Sequence, residues 1–146
     1  MKPDGLGGRH YHYTLKSKTK LSSDYVNKKQ KIGSCTILTK GATCTITSGM
    51  QASRTVSVAL GASRGVISGE LGISSAKWQS VTVGCTSPKM AKNKRWVAYP
   101  KGSHYRYKVH LYVTQSGSDG MSYDGGTSGW KYAFNPSKTG IACGLG

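Results

Sequence analysis

Written antiparallel, residues 44–60 and 69–85 oppose one another in a regular way. Val58 faces Leu71, Val56 faces Ile73, Ser48 faces Val81, Ile46 faces Val83 and Cys44 faces Cys85. A strand's side chains alternate with period two, so a slip of one residue would destroy every one of these matches. The pattern predicts one long β-hairpin, with residues of about 44–60 paired with 69–85. At roughly 3.3 Å per residue each arm would run about 55 Å, beyond the usual strand. The opposite face is rich in hydroxyls, with Thr45, Thr47, Ser53, Thr55 and Ser57 on one arm and Ser74, Ser80 and Thr82 on the other. Gly61, Gly65, Gly69 and Gly72 argue against a helix between the arms, so the tip is expected to turn near 62–66, through a single helical turn at most.

The rest of the chain supports an all-β reading. At 146 residues it has the size of one domain. Leu, Ile, Val and Phe number only 24, a thin supply for a core, but nine Tyr and three Trp accompany them in alternating segments. Residues 1–33 read as a basic N-terminal arm or edge, with "HYHYTLK" as one short strand, and 34–146 as the β core. In residues 105–113, Tyr105, Tyr107, Val109, Leu111 and Val113 share one face while Arg106, Lys108, His110 and Tyr112 share the other. Turns are expected at the Pro-Lys-Gly of 100–102 and at the Asp-Gly pairs of 119–120 and 124–125, and a short closing strand at 141–143. The expectation is a single antiparallel sheet or sandwich.

Cys35, Cys44, Cys85 and Cys143 lack the spacing of a zinc site and point to two disulfides. Directly opposed strand residues hold their Cβ atoms about 4.5–5.5 Å apart, near bridging range, which favours Cys44 with Cys85. Cys35 with Cys143 then follows by elimination; Cys35 with Cys44 and Cys85 with Cys143 is the next pairing. Disulfides place the chain in an oxidising compartment, and a secreted protein is expected. The first residues, "MKPDGLGGRHYHY", have no apolar core of a signal peptide, so removal of a leader is part of that expectation. No apolar run is long enough for a transmembrane helix.

The net charge is +16, and the acids are Asp4, Asp24, Glu70, Asp119 and Asp124. Such a field calls for an anionic partner. The densest candidate patch is Lys89, Lys92, Lys94, Arg95, Trp96, Tyr99, Lys101, Arg106, Lys108 and Tyr112, cations rimmed by aromatic rings. It suits lipid head groups or the phosphate-bearing polymers of a cell wall. Single-stranded nucleic acid is a second alternative that secretion disfavours, and no RNA-recognition signature accompanies it. The hairpin residues Arg54, Val56, Val58, Leu71, Ile73, Lys77 and Trp78 are candidates for assembly, because long exposed edges recruit further strands and allow a homo-oligomer.

Catalysis finds little footing here. "GASRG" matches G-x-S-x-G, but a nucleophile elbow needs a parallel α/β sheet with acid and histidine partners, so Ser63 is read as a turn residue. His10 and His12 share a strand face and could take His104 or His110 as a third metal ligand, yet histidines near a terminus are usually solvated. Neither an enzyme, a metal site nor a cofactor is predicted.

The long hairpin, with one Ser/Thr face and one partly apolar face, resembles the membrane-inserting segment of aerolysin-type β-pore-forming toxins over residues 44–85. The Ser/Thr-rich strands with flanking cysteines also look similar to small uncharacterised secreted proteins of Gram-positive bacteria. The toxin resemblance implies an alternative function, a barrel built from several copies with hydroxyls toward water. The sequence departs from that pattern at Arg54 and Lys77, which fall on the lipid-facing side. A cation at the bilayer midplane costs about 2–4 kcal/mol. The leading expectation is a secreted, cationic, non-enzymatic binder of an anionic surface that self-assembles through its hairpin.

Overall fold

A computed structural model describes residues 9–115 and 121–146. The elements are β1 (Arg9–Val26), β2 (Gly33–Thr36), β3 (Thr45–Ile46), β4 (Met50–Ser53), β5 (Thr55–Val56), α1 (Arg64–Leu71), β6 (Trp78–Val81), β7 (Cys85–Thr86), β8 (Arg95–Gln115), β9 (Ser122–Thr127) and β10 (Lys131–Leu145). The fold is all-β and antiparallel apart from one short helix. A six-stranded sheet runs in the order β1-β8-β10-β5, with β2 and β9 also paired to β8, and two further ladders join β3 to β7 and β4 to β6. Of the residues read as arm or edge, Arg9–Val26 form β1, which ends the sheet order. The chain divides into two compact units. Unit 1 takes the described residues of Met1–Thr19, Val56–Ser75 and Arg106–Tyr132; unit 2 takes Lys20–Thr55, Ala76–Tyr105 and Ala133–Gly146.

Unit 2 contains the hairpin, in a register two residues from the one expected. Met50, rather than Ser48, opposes Val81, and Ile46, rather than Cys44, opposes Cys85. A shift of two keeps every side chain on its face, so apolar matching cannot tell the two registers apart. The observed one buries Ile46, Ala52 and Val81 and carries Arg54 into the interior at 3% exposure. There Arg54 Nε donates to Asn135 Oδ1 at 2.7 Å, Nη1 to the Ala76 carbonyl at 2.6 Å and Nη2 to Gln79 Oε1 at 2.9 Å. Arg54 is therefore a buried clamp, which corrects its assignment to an exposed assembly face. The pairing is also interrupted. Thr82 N turns away to the Lys138 carbonyl, 2.8 Å, and Gly84 lies so close to the Ile46 carbonyl that a Cβ would collide with it.

Register also decides the disulfides. The favoured pairing of Cys44 with Cys85 is corrected: Cys35 bonds Cys44, and Cys85 bonds Cys143. Cys44 faces Ser87, whose backbone N donates to its carbonyl at 2.8 Å and whose Oγ accepts from its N at 2.9 Å. Cys85, opposite Ile46, is left to reach β10.

The distal half of the expected hairpin departs from it altogether. Val56 belongs to β5, and 64–71 form α1, so the pairs Val58–Leu71 and Val56–Ile73 do not form. Gly65 and Gly69 each cost the helix about 1 kcal/mol relative to Ala. Its caps and its buried side offset this. Ser63 Oγ accepts from Val66 N at 3.2 Å, and Gly72, at φ 77°, takes the left-handed conformation while its N–H reaches the carbonyls of Ser68 and Gly69. Ile67 and Leu71 supply the apolar contact. In unit 1 these residues and Ala62 share the interior with Tyr107, Val109 and Val113 of β8.

β8 runs unbroken through the Pro-Lys-Gly expected to turn. Pro100 needs no amide partner, and its carbonyl accepts from Asn27 N at 3.0 Å. Gly102 permits a close pass: a Cβ there would strike the Asn135 carbonyl oxygen. Asp124 and Gly125 likewise sit inside β9, at a register shift beside Leu111 and Tyr112 that is a β-bulge and not a turn. Residues 141–143, read as a short closing strand, are the end of the longer β10. The Asp119–Gly120 pair lies outside the described residues.

Candidate binding face

The alternation of β8 gives unit 1 two unlike faces. Tyr107, Val109 and Val113 are buried, while Arg106, Lys108 and His110 are half-buried and Tyr112 exposed on the other side. The buried face is fixed by polar ends as well as apolar contact. Tyr107 Oη donates to the Ser57 carbonyl at 2.5 Å, and Tyr13 Oη donates to the Leu60 carbonyl at 3.0 Å. Burial pushes the Tyr107 phenol up to about 12.

On the other face, a short turn brings an indole onto two cations. Ser128 pairs with Val109 twice, its N donating to the Val109 carbonyl at 2.8 Å and its Oγ accepting from Val109 N at 2.8 Å. The same hydroxyl donates to the Gly129 carbonyl at 2.8 Å. This seats Trp130 so that Arg106 Cζ lies 4.4 Å and Lys108 Nζ 4.7 Å from its ring centroid. Trp130 keeps 40% of its surface exposed. Each contact of this kind is worth about 0.5–1 kcal/mol at an exposed site. Arg106 Nε is buried without an acceptor, so the guanidinium is held mainly by packing.

Farther along the same face, polar groups engage one another. His110 Nε2 stands 3.0 Å from Asp124 Oδ1, which also accepts from Gly126 N at 2.7 Å. The Gly126 amide first, and then His110, hold the Asp124 carboxyl below its ordinary range, with the charge of Lys16 adding to the effect. Tyr112 Oη donates to Ser122 Oγ at 2.6 Å, and His12 Nε2 lies 3.0 Å from Thr114 Oγ1. Asp124 is thus engaged by His110 and lies within the field of Lys16, on the strand face that also carries Arg106 and Lys108. Exposed Tyr123 and Tyr132 belong to the same unit. This face can hold an anion electrostatically and present π-surface.

Of the residues the sequence proposed for binding, Arg106, Lys108 and Tyr112 meet on this face. Lys89, Lys92, Lys94 and Arg95 are exposed in unit 2, where Trp96 is half-buried with its Nε1 enclosed and unpartnered. Tyr99 and Lys28 line a cleft of about 350 Å³ together with Val26 and Leu145. Lys101 lines a second cleft. Among the hairpin candidates, Leu71 is buried in α1, Val56 and Ile73 are half-buried, and Val58, Lys77 and Trp78 are exposed. Lys77 contributes its carbonyl to Arg54 N, 2.7 Å. Trp130, Lys16 and His12 were not anticipated for the site; "SGWKY" offered only an aromatic after a turn.

His12, His104 and His110 have separate partners. His104 stacks on Tyr25 at 4.1 Å between centroids, and burial lowers its pKa. Among the described residues no group of three or more His, Cys, Asp or Glu is placed to hold a metal. Among them, too, no helix is long and apolar enough to cross a membrane. No protein-family model, curated protein or solved structure matches the chain.

Proposed function

We propose that this protein is a secreted, cationic, non-enzymatic binder of an anionic cell surface, and that the Trp130 face of unit 1 makes the contact. One observation carries the reading: Arg106 and Lys108, neighbours on one strand face, converge on a single exposed indole. Such a face suits phosphate groups, which the cations attract, on a matrix against which the ring can lie. The net charge of +16 would draw the chain toward that matrix. The two disulfides fit an oxidising compartment.

The toxin alternative now has less to rest on. The hairpin's ladders cover 45–46 with 85–86 and 50–53 with 78–81, Arg54 anchors it to Asn135, and Cys85 ties it to Cys143. Co-sedimentation run beside dye release separates the readings. The protein should pellet with anionic vesicles or with wall fragments, spare neutral vesicles, and leave the enclosed dye in place. Combined Arg106→Ala, Lys108→Ala and Trp130→Ala should weaken pelleting at least ten-fold. Unchanged pelleting of that variant would sink the proposed face. Dye release with SDS-resistant oligomers would favour the pore, and tight single-strand binding that falls steeply with salt would favour nucleic acid.

A further inference from the structure

Unit 2 carries a cleft of about 230 Å³ whose walls come from three strands. β1 contributes Ser23 and Asp24, β8 contributes Lys101, and β10 contributes Ser137, Thr139 and Gly140. Its β10 wall is fixed in place. Thr82 donates to the Lys138 carbonyl twice, from N at 2.8 Å and from Oγ1 at 3.2 Å. Ser137 Oγ accepts from Thr139 N at 3.2 Å and lies 3.5 Å from Thr139 Oγ1. Gly140 lets the wall close on β8, since a Cβ there would stand 2.5 Å from the Lys101 carbonyl oxygen.

The charges in this cleft are unused. The Asp24 carboxylate and the Lys101 ammonium make no hydrogen bond or ion pair with any described residue, although both line the same space. A ligand seated in the cleft would meet both. A bare anion would suit Lys101 but be repelled by Asp24. A neutral polyol could donate hydroxyls to Asp24 and leave Lys101 without its counter-charge. The three hydroxyls of Ser23, Ser137 and Thr139 can donate or accept. The volume lies below the roughly 300–1,000 Å³ of pockets for drug-sized ligands and fits one small unit.

We propose that this cleft is a binding site for a phosphorylated polyol, with the phosphate on Lys101 and the β10 hydroxyls and the polyol hydroxyls donating to Asp24. This site lies in unit 2 and does not rest on the surface-binding reading of unit 1.

The test is an amide-resolved NMR titration of the intact, oxidised protein with glycerol 3-phosphate, glycerol, inorganic phosphate and glycine as separate probes. Glycerol 3-phosphate should move the amides of Asp24, Thr139 and Gly140 and bind at least ten-fold tighter than glycerol or inorganic phosphate. Lys101→Gln should lose this preference. Asp24→Asn should weaken glycerol 3-phosphate several-fold and, in the opposite sense, tighten inorganic phosphate. The spectra themselves report whether each variant is folded. Three results would overturn the proposal: equal affinity for inorganic phosphate, tighter binding of zwitterionic glycine, or shifts that bypass these amides. Glycerol 3-phosphate binding by the combined Arg106→Ala, Lys108→Ala and Trp130→Ala variant should match the parent, so failure here and failure of the Trp130 face remain separable.

Discussion

The two units keep their strands in place by different means. Unit 2 has both disulfides and a buried guanidinium; unit 1 has a small apolar interior closed by phenol hydroxyls and a capped helix. Unit 2 contains the short ladders β3–β7 and β4–β6, two to four residues long, which bury little on their own. Covalent and charge-assisted links compensate for that. Unit 1 needs no bridge because Arg106–Gln115 of β8 alternates cleanly, leaving one face for the interior and the other for cations and rings. Where burial alone suffices, a face becomes free for binding.

Removing the disulfides is the strongest way to break this contrast. The bridge from Cys85 to Cys143 spans 58 residues and the one from Cys35 to Cys44 spans nine. Loop-closure entropy gives about 4 kcal/mol for the longer and about 2.5 kcal/mol for the shorter. Paired Cys→Ala variants should fall in that order in urea midpoint, and hydrogen exchange should accelerate in unit 2 before unit 1. Equal loss of protection in both units would show that the contrast is not energetic.

Arg54→Ala comes next. It removes the donors to the Asn135 and Gln79 side chains and to the Ala76 carbonyl, at a cost of about 3 kcal/mol. Arg54→Lys should recover less than half, since one ammonium cannot match three diverging donors. Thermal unfolding of both variants checks this.

In unit 1 the matching change is Tyr107→Phe, expected to cost about 1–2 kcal/mol. It also has a pH signature. The phenol's folded pKa is raised above its ordinary value of 10 to about 12, so its contribution is complete below pH 10 and is lost as pH rises through 12. The parent should lose stability across that window and Tyr107→Phe should not lose this part of it.

The smallest effect belongs to Asp124. Its pKa is lowered, so its contribution is present above the ordinary carboxylate range and disappears as pH falls through the folded value. Asp124→Asn should leave neutral-pH stability nearly unchanged and flatten the acid limb of a stability profile. Because it removes a negative charge from the unit that carries Arg106 and Lys108, it should modestly strengthen pelleting with anionic vesicles.

Some of this was legible in the sequence because it depends on period. The two faces of β8 and the existence of the hairpin both follow from alternation. What failed depends on differences that alternation cannot register. A shift of two residues leaves Ile46 and Val81 on the right face yet moves Cys85 from Cys44 to Ile46, and the disulfide pairing moved with it. Helix α1 stayed hidden because its glycines argued against it, while Ser63 and Gly72, which cap it, read equally well as turn residues. Arg106, Lys108 and Tyr112 could be placed on one face in advance. Trp130 could not, since its position follows from two hydrogen bonds between Ser128 and Val109 that leave no sequence pattern.

The bond between Cys85 and Cys143 makes a closed ring of the chain between them, containing β8 and β9 and most of β10. A single proteolytic cut anywhere inside that ring leaves the two products joined. Such a cut would be invisible on a non-reducing gel and would resolve into two bands once the bridge is reduced, so a nicked molecule can keep Arg106, Lys108 and Trp130 in one covalent piece.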